Sequence, residues 1–383
     1  MRICIFASNY LPNLGGLERY LYNMTTELTK RGHKVVIVTS NISNYAWKEE
    51  MQGVIVYRLP CFGLLNGRFP VSKYNKEYRQ IMKEVDKEKY DFVLVTPRFY
   101  LHTFFGAKYA KRKKIPALVL EHGTGHFTVN NSILDFFGRI YEHIISALVK
   151  HYVEEFAGVS EACNKWLKHF GINTSLVLYN TVDFNMINSI MEKETTNYRE
   201  YYNVPADGVV VTYTGRMVPE KGILKLYEAC RNANNKEKIY LFAAGTGELY
   251  EELQQKANKH FIPMGRLEFN EVVALLKQTD IFCLPTDFSE GFPTSVLEAV
   301  AAKCYVITTD KGGSKELISD NSYGTILQEN TVQELMKEID YISQDTELRK
   351  KVTEKAYKKM CEKFTWEKTV DLFLDYVEKR KNN

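Results

Sequence analysis

The stretch Ile281–Lys303, IFCLPTDFSEGFPTSVLEAVAAK, decides how the chain is read. Ile281–Leu284 is a short apolar strand that breaks at Pro285 into a polar loop holding Asp287, Ser289 and Glu290. After Gly291, Phe292 and Pro293, the apolar residues Leu297, Val300 and Ala301 recur at helical spacing, with Thr294 and Ser295 in the first turn. A strand, loop and helix joined in this way gather unpaired backbone donors at the positive end of a helix, where a phosphate is favoured. Glu290 and Glu298 flank that helix start. Being anionic, they suit the hydroxyls of a ribose and a hexose rather than a diphosphate. Two such glutamates are also common on loops and solvated helix faces, so their weight depends on what accompanies them.

The spacing of Glu290 and Glu298 within EGFPTSVLE resembles the paired-glutamate signature of retaining glycosyltransferases of the GT-B fold, in particular glycosyltransferase family 4 (glycosyl transferases group 1). Other segments match that family in the same order, so the resemblance covers most of the chain. It implies two Rossmann-like, doubly wound α/β domains facing a central cleft.

Size and composition agree with two soluble domains. A chain of 383 residues exceeds what one core organises, and 45% hydrophobic with 26% charged residues is a globular balance. Seven scattered cysteines, odd in number and without a CxxC pair, argue against a disulfide framework or zinc ribbon and for a reducing compartment. The opening MRICIFASNYLP has the pattern of a core strand rather than a signal peptide, and no run of about 20 apolar residues suits a spanning helix. A cytoplasmic location is expected. Residues 1–186 carry 24 Lys and Arg against 16 Asp and Glu, whereas residues 187–383 carry 27 against 31. A basic first half suits an acidic partner, but the balance is too mild to demand nucleic acid.

From the N-terminus, Arg2–Ala7 is a strand, SNYLPNLGG a loop, and Leu17 to Leu28 a helix stopped by Gly32. Lys34–Thr39 completes a βαβ unit without the GxGxxG fingerprint. Glycines are ordinary at such a turn; the resemblance implies that Gly16 lies nearest the donor diphosphate. Further strands are expected at Val54–Arg58 and Phe92–Val95, with a helix over Asn75–Val85 between them. RFYLHTFFGAKYAKRKK then combines aromatic and basic residues, a composition that suits an anionic inner-leaflet surface but equally a helix packed on the sheet with solvated lysines.

The strand Ala117–Leu120 leads into EHGTGHF. Ligands of open parallel sheets lie beyond the carboxyl ends of the strands, which makes His122 a candidate active-site residue and His126 a weaker one. The resemblance places a histidine here near the transferred sugar. His122 and His126 have no third ligand at a recognisable metal spacing. Asn131–Lys150 is an amphipathic helix through Ile133, Phe136, Phe137, Ile140, Ile144, Ile145 and Leu148, with Asp135, Arg139 and Glu142 against insertion into a membrane. FAGVSEA is a strand, a turn and a helix start with Ser160 as N-cap, and Ser175–Leu178 is expected as the last strand of this half. YNTVDF resembles the family's turn at the domain junction, with Thr181 in place of a glycine.

The polar segment Asn188–Asp207 is expected to join the halves, and Val209–Thr214 opens the second domain. In GRMVPEKG, Arg216 and Lys221 stand five apart in a loop running into a helix, so their charges can converge on one diphosphate, the role the resemblance gives them. Strands at Tyr240–Ala244 and Phe261–Met264 lead to GTGE and to Gly265, Arg266 and Leu267, which by resemblance lie beside the base. By the resemblance, the expected domains are 1–186 on the acceptor side and 187–363 on the nucleotide-sugar side, with 364–383 a helix packing back on the first.

The resemblance implies transfer of a sugar, with retention of anomeric configuration, from a nucleotide-sugar donor to a glycan or lipid-linked acceptor of envelope polysaccharide, lipopolysaccharide or glycolipid synthesis. A UDP-sugar is favoured, with GDP-mannose the alternative. His122 and Glu290 would serve at the reacting sugar; Gly16, Arg216, Lys221, Gly265, Arg266, Leu267, Gly291, Phe292, Pro293, Thr294, Ser295 and Glu298 would hold the donor. No metal or other cofactor is expected. The rival readings are an epimerase or hydrolase of nucleotide sugars, which needs no acceptor, and a sugar- or lipid-surface-binding module without turnover.

Overall fold

A computed structural model describes residues 1–12, 15–65, 67–129 and 131–381. The chain divides into two compact units, Met1–Asn180 with Trp366–Asn383, and Thr181–Thr365. The division falls between 180 and 181 rather than between 186 and 187.

The first unit runs β1 (Arg2–Ala7), α1 (Gly16–Lys30), β2 (Lys34–Asn41), β3 (Lys48–Met51), β4 (Val54–Leu64), β5 (Phe69–Ser72) and α2 (Lys76–Val85). It continues with β6 (Phe92–Thr96), α3 (Leu101–Lys113), β7 (Ala117–Glu121), α4 (Ser132–Tyr152), β8 (Phe156–Gly158) and α5 (Glu161–Leu167). The second holds α6 (Phe184–Lys193), α7 (Tyr198–Tyr201), β9 (Val209–Thr214), α8 (Ile223–Asn232), β10 (Ile239–Ala244), α9 (Tyr250–Gln255), β11 (Phe261–Gly265) and α10 (Phe269–Lys277). After these come β12 (Ile281–Leu284), α11 (Thr294–Ala301), β13 (Tyr305–Thr309), α12 (Ser314–Leu317), β14 (Thr325–Leu327), α13 (Val332–Gln344) and α14 (Thr346–Lys363). The last helix, α15 (Trp366–Lys381), belongs to the first unit.

In the first sheet the order is β3-β4-β2-β1-β6-β7-β8, with β5 beside β4. β1 lies parallel between β2 and β6, Ile3 facing Val35 on one side and Phe92 on the other. Its side chains alternate between two cores, as a strand covered on both faces requires. Ile3, Ile5 and Ala7 meet Leu21, Met24 and Leu28 of α1 and Val370, Phe373 and Val377 of α15. Cys4 and Phe6 meet Ile81 and Val85 of α2 and Ala107 and Ala110 of α3. A Cβ on Gly106 would stand 2.6 Å from Phe6, so only glycine lets α3 sit this close to the sheet. Cys4 and Cys283 are buried, as small core residues are.

The second sheet, β11-β10-β9-β12-β13-β14, is parallel throughout. In both sheets the strand order reverses beside the first strand, between β1 and β6 and between β9 and β12. Such a switch point opens a crevice at the carboxyl ends of the strands.

Several expectations need correction. Lys48–Met51 and Phe69–Ser72 add two antiparallel strands on β4 that polar composition and shortness hid. Ser175–Leu178 contributes only an isolated bridge, Val177 to Gly158. Asn188–Asp207 is no plain linker, because it contains the end of α6 and all of α7, and Tyr198 is buried in the second unit's core. In the loop SNYLPNLGG, Asn13 and Leu14 lie outside the described residues. Thr181 donates to the Phe364 carbonyl, and Asp183 caps α6 by accepting from the Met186 amide.

The structure also orients α4, which its periodicity left open. Its apolar stripe is turned outward, with Ile133 68%, Phe136 59%, Phe137 62% and Ile144 56% exposed. Glu142 and Ser146 face inward instead, with Ile145 and Val149. The reason is a charge network in which the fully buried Arg98 donates to Glu121 and Ser146 and reaches Glu142 at 3.3 Å. Buried charges persist only when paired, and here each has partners. On α3 the aromatics pack, Tyr109 being buried, while Lys108, Lys111, Arg112, Lys113 and Lys114 are exposed. No helix among the described residues is long and apolar enough to cross a membrane.

Candidate active site

In the second unit the parallel sheet brings every loop after a strand to one edge. The loops after β9 and β12 are therefore neighbours, although some seventy residues apart in the chain. They are stitched by backbone bonds: the amides of Asp287 and Phe288 both donate to the Glu220 carbonyl, at 2.7 and 3.2 Å. Gly222 has φ of +74°, and a Cβ there would lie 2.0 Å from the Pro285 carbonyl oxygen, so the approach depends on glycine.

Across this seam Lys221 forms an ion pair with Glu290, each side chain 13% exposed. Phe288 lies beneath both cations of the first loop, its ring centre 5.4 Å from the Arg216 guanidinium carbon and 5.3 Å from Lys221 Nζ. The buried Tyr213 hydroxyl donates to the Arg216 carbonyl at 2.6 Å, fixing the turn that carries the exposed guanidinium. Arg216, Lys221 and Glu290 are thus gathered in one place. Phe288 and Tyr213 were missed from sequence, since nothing in their spacing separates them from core aromatics.

The rest of the second loop is held from behind. Lys225 and Asn330 both donate to Asp287, at 2.8 and 2.9 Å. Partial burial raises the Asp287 carboxyl, but these two donors outweigh it and hold it below the usual carboxylate range. Gly312, with φ of +59°, lets the turn after β13 close on the backbone of Glu290 and Gly291, where a Cβ would come within 2.7 Å of both carbonyl oxygens. Phe292 is turned into the unit against Phe364, ring centres 5.5 Å apart, so only its main chain faces the loop. Pro293 is buried too and stands at the N-cap of α11, which no side chain of the described residues caps. The first-turn amides, those of Thr294 and Ser295, therefore precede the first intrahelical donors at the positive end of the dipole. Glu298 is buried one turn inside, not on a solvated face.

Gly265 ends β11 and Arg266 and Leu267 follow it at the same edge, where the Gly265 carbonyl accepts from the Gly245 amide at 2.7 Å. Arg266 is exposed and lies 3.7 Å from Glu268. A separate cavity lined by Tyr227, Arg231, His260 and Phe261 contains none of these residues.

Gly16 and His122 belong to the first unit. Gly16 is the first residue of α1, and a Cβ on it would meet nothing within 4 Å. The fold itself therefore gives no reason for glycine at that position. His122 follows β7, its ring edge-on to Tyr20 at 4.9 Å and its Nε2 enclosed without a hydrogen-bond partner among the described residues. Burial drives its pKa down to about 3, so the imidazole is neutral at physiological pH. The Glu121 carboxylate anchors the turn by accepting from the His122 and Gly123 amides at 2.9 and 3.0 Å. Arg98 in turn holds Glu121 through Nε at 2.8 Å. His126 points away into a different cluster, with Nδ1 3.1 Å from Glu142.

Two family models match the chain in succession: Glycosyltransferase Family 4 over residues 14–185 and Glycosyl transferases group 1 over residues 194–359. An uncharacterised glycosyltransferase of Methanocaldococcus jannaschii is 25% identical across 100% of this chain and 99% of its own length. The N,N'-diacetylbacillosaminyl-diphospho-undecaprenol alpha-1,3-N-acetylgalactosaminyltransferase of Campylobacter jejuni is 25% identical across 66% of this chain and 68% of that protein. Among solved structures, Anabaena HepE in complex with UDP superposes with a TM-score of 0.76 at 15% identity, covering 99% of this chain and 100% of that one. With two parallel α/β units, both family models in order and these relatives, the chain belongs to the GT-B glycosyltransferases of the family 4 type.

Proposed function

We propose that the chain transfers a hexose from a UDP-sugar to a glycan or lipid-linked acceptor in envelope polysaccharide or glycolipid synthesis, with retention at the anomeric carbon. The observation that carries the donor reading is the meeting of Arg216, Lys221 and Glu290 at the switch point of the second sheet, beside the uncapped start of α11. The HepE structures with UDP and with UDP-glucose support a uridine nucleotide. The undecaprenol-linked acceptor in the name of the Campylobacter relative supports a lipid-linked one.

In this reading Arg216, Lys221 and the amides from Gly291 to Ser295 hold the diphosphate and offset the charge that develops as it departs. Glu298 accepts from the ribose, Glu290 from the sugar hydroxyls, and the main chain of Gly265 to Leu267 borders the base. Lys221 and Glu290 are paired to each other, so a diphosphate competes with the carboxylate for the ammonium. In the first unit, Gly16 gives the diphosphate close approach to backbone and His122 serves at the transferred sugar as a neutral imidazole. The departing phosphate takes the acceptor proton on the same face of the sugar. These protein groups supply the positive charge, and the transfer proceeds without a metal.

Contact with an anionic inner-leaflet membrane is part of the proposal. Its support is the outward apolar stripe of α4, which packs beside α3 and its exposed basic run. Apolar side chains entering the interface and lysines over anionic headgroups are the two halves of such binding. The sequence reading gave both halves to α3; the present proposal assigns the apolar half to α4 and the basic half to α3.

Three outcomes are expected. Lys221→Ala should weaken UDP binding by roughly 10- to 150-fold in calorimetric titration, the loss of a charge-assisted contact of about 1.5–3 kcal/mol; unchanged affinity would remove Lys221 from the diphosphate. NMR of the product formed from an α-linked donor should show an α-anomer, and a β-product rules out retention. Co-sedimentation with phosphatidylglycerol vesicles should be strong for the parent and largely lost for Phe136→Ser with Phe137→Ser. Equal sedimentation of that variant would dissociate α4 from any lipid contact.

A further inference from the structure

Outside the donor residues, three imidazoles from three separate elements converge in the first unit. His126 lies in the loop after β7, His143 on α4, and His169 in the single 3-10 turn Lys168–Phe170 that follows α5. One ring nitrogen of each lies within 4.8 Å of those of the other two. The nearest pair, His126 and His143, is seventeen residues apart in sequence, so linear spacing offered no third ligand.

We propose that His126, His143 and His169 bind one Zn2+-class divalent cation, as three protein ligands with a fourth position left to water. Imidazole nitrogen is a preferred donor for such ions. A tetrahedral zinc with Zn–N of about 2.0–2.1 Å needs nitrogens about 3.4 Å apart. The exposed His143 and His169 can close that difference by small side-chain rotations.

The surroundings have what a metal-binding histidine requires. His126 Nδ1 is 3.1 Å from Glu142 Oε2, so Nε2 is the nitrogen available for an ion. A carboxylate in this position fixes the tautomer and raises the basicity of the ligand. Glu142 is itself fixed, because Arg98 donates to it and the Phe127 amide donates to its other oxygen at 2.7 Å. His169 is oriented by Trp166, stacked at 4.9 Å with rings 8° from parallel. Ring packing alone explains that stack, but not the carboxylate aligned behind His126.

The site is a clamp. A bound cation ties the loop that begins at His122 to α4 and to the 168–170 turn, restricting the loop without touching the donor residues of the second unit.

The test uses the untagged full-length chain, dialysed against chelator and titrated with ZnCl2 by calorimetry and CoCl2 by visible absorption. The expected result is one ion per chain, the intense visible bands of low-coordinate Co2+, and a rise in melting temperature on adding zinc. His143→Ala and His169→Ala, both at exposed positions, should each weaken binding by at least about 10- to 100-fold, the loss usual for outer-shell partners alone, while melting without zinc like the parent. Absence of saturable binding, or one-to-one binding that survives either substitution, overturns the proposal. Glu142→Gln adds a separate check: zinc affinity should fall although no metal ligand is removed.

Discussion

The ion pair between Lys221 and Glu290 depends on two loops arriving side by side, and the parallel sheet is what makes them arrive. β9 and β12 are adjacent at the reversal of strand order, so residues from distant parts of the chain meet at their carboxyl ends. Glycine at 222 lets one loop pass over the Pro285 carbonyl, and glycine at 312 brings in a third. The charged residues stand on a braced platform of backbone. That bracing is what charge stabilisation needs, since donors fixed beforehand do not have to reorganise when charge develops.

The first unit uses the same topology for a different purpose. Its turn after β7 is anchored to a buried carboxylate, which is anchored to a buried arginine, which reaches α4. Removing one member of such a network would strand a charge in the interior, typically at a cost of about 3–5 kcal/mol. The inward face of α4 is thereby committed to Glu142 and Ser146 together with Ile145 and Val149, and Ile133, Phe136, Phe137 and Ile144 are left for the outside. The exposed stripe follows from that commitment.

Much of this was legible in the letters. Runs such as Arg2–Ala7 and Val209–Thr214 are mostly apolar because both faces of a parallel strand are buried, and they announced the two sheets. The residues proposed to hold the donor stood out because Arg216, Lys221, Glu290 and Glu298 carry a family resemblance in order. What was illegible has physical reasons. The strand Lys48–Met51 is charged because it sits on an exposed edge. The orientation of α4 could not be read from its own periodicity, since that pattern is the same whether the stripe meets a core or an outside surface. Arg98, Phe288 and the three histidines matter only through neighbours far away in sequence.

The account's central claim is that Lys221 serves a diphosphate and that Glu290 competes with it for the ammonium. Calorimetric titration of UDP, which lacks the sugar, into the parent and Glu290→Gln tests this most directly. The account predicts that the variant binds UDP at least as tightly as the parent, because the competing carboxylate is gone. A variant that binds UDP tenfold more weakly would contradict it, by making Glu290 a support of the nucleotide site rather than its competitor.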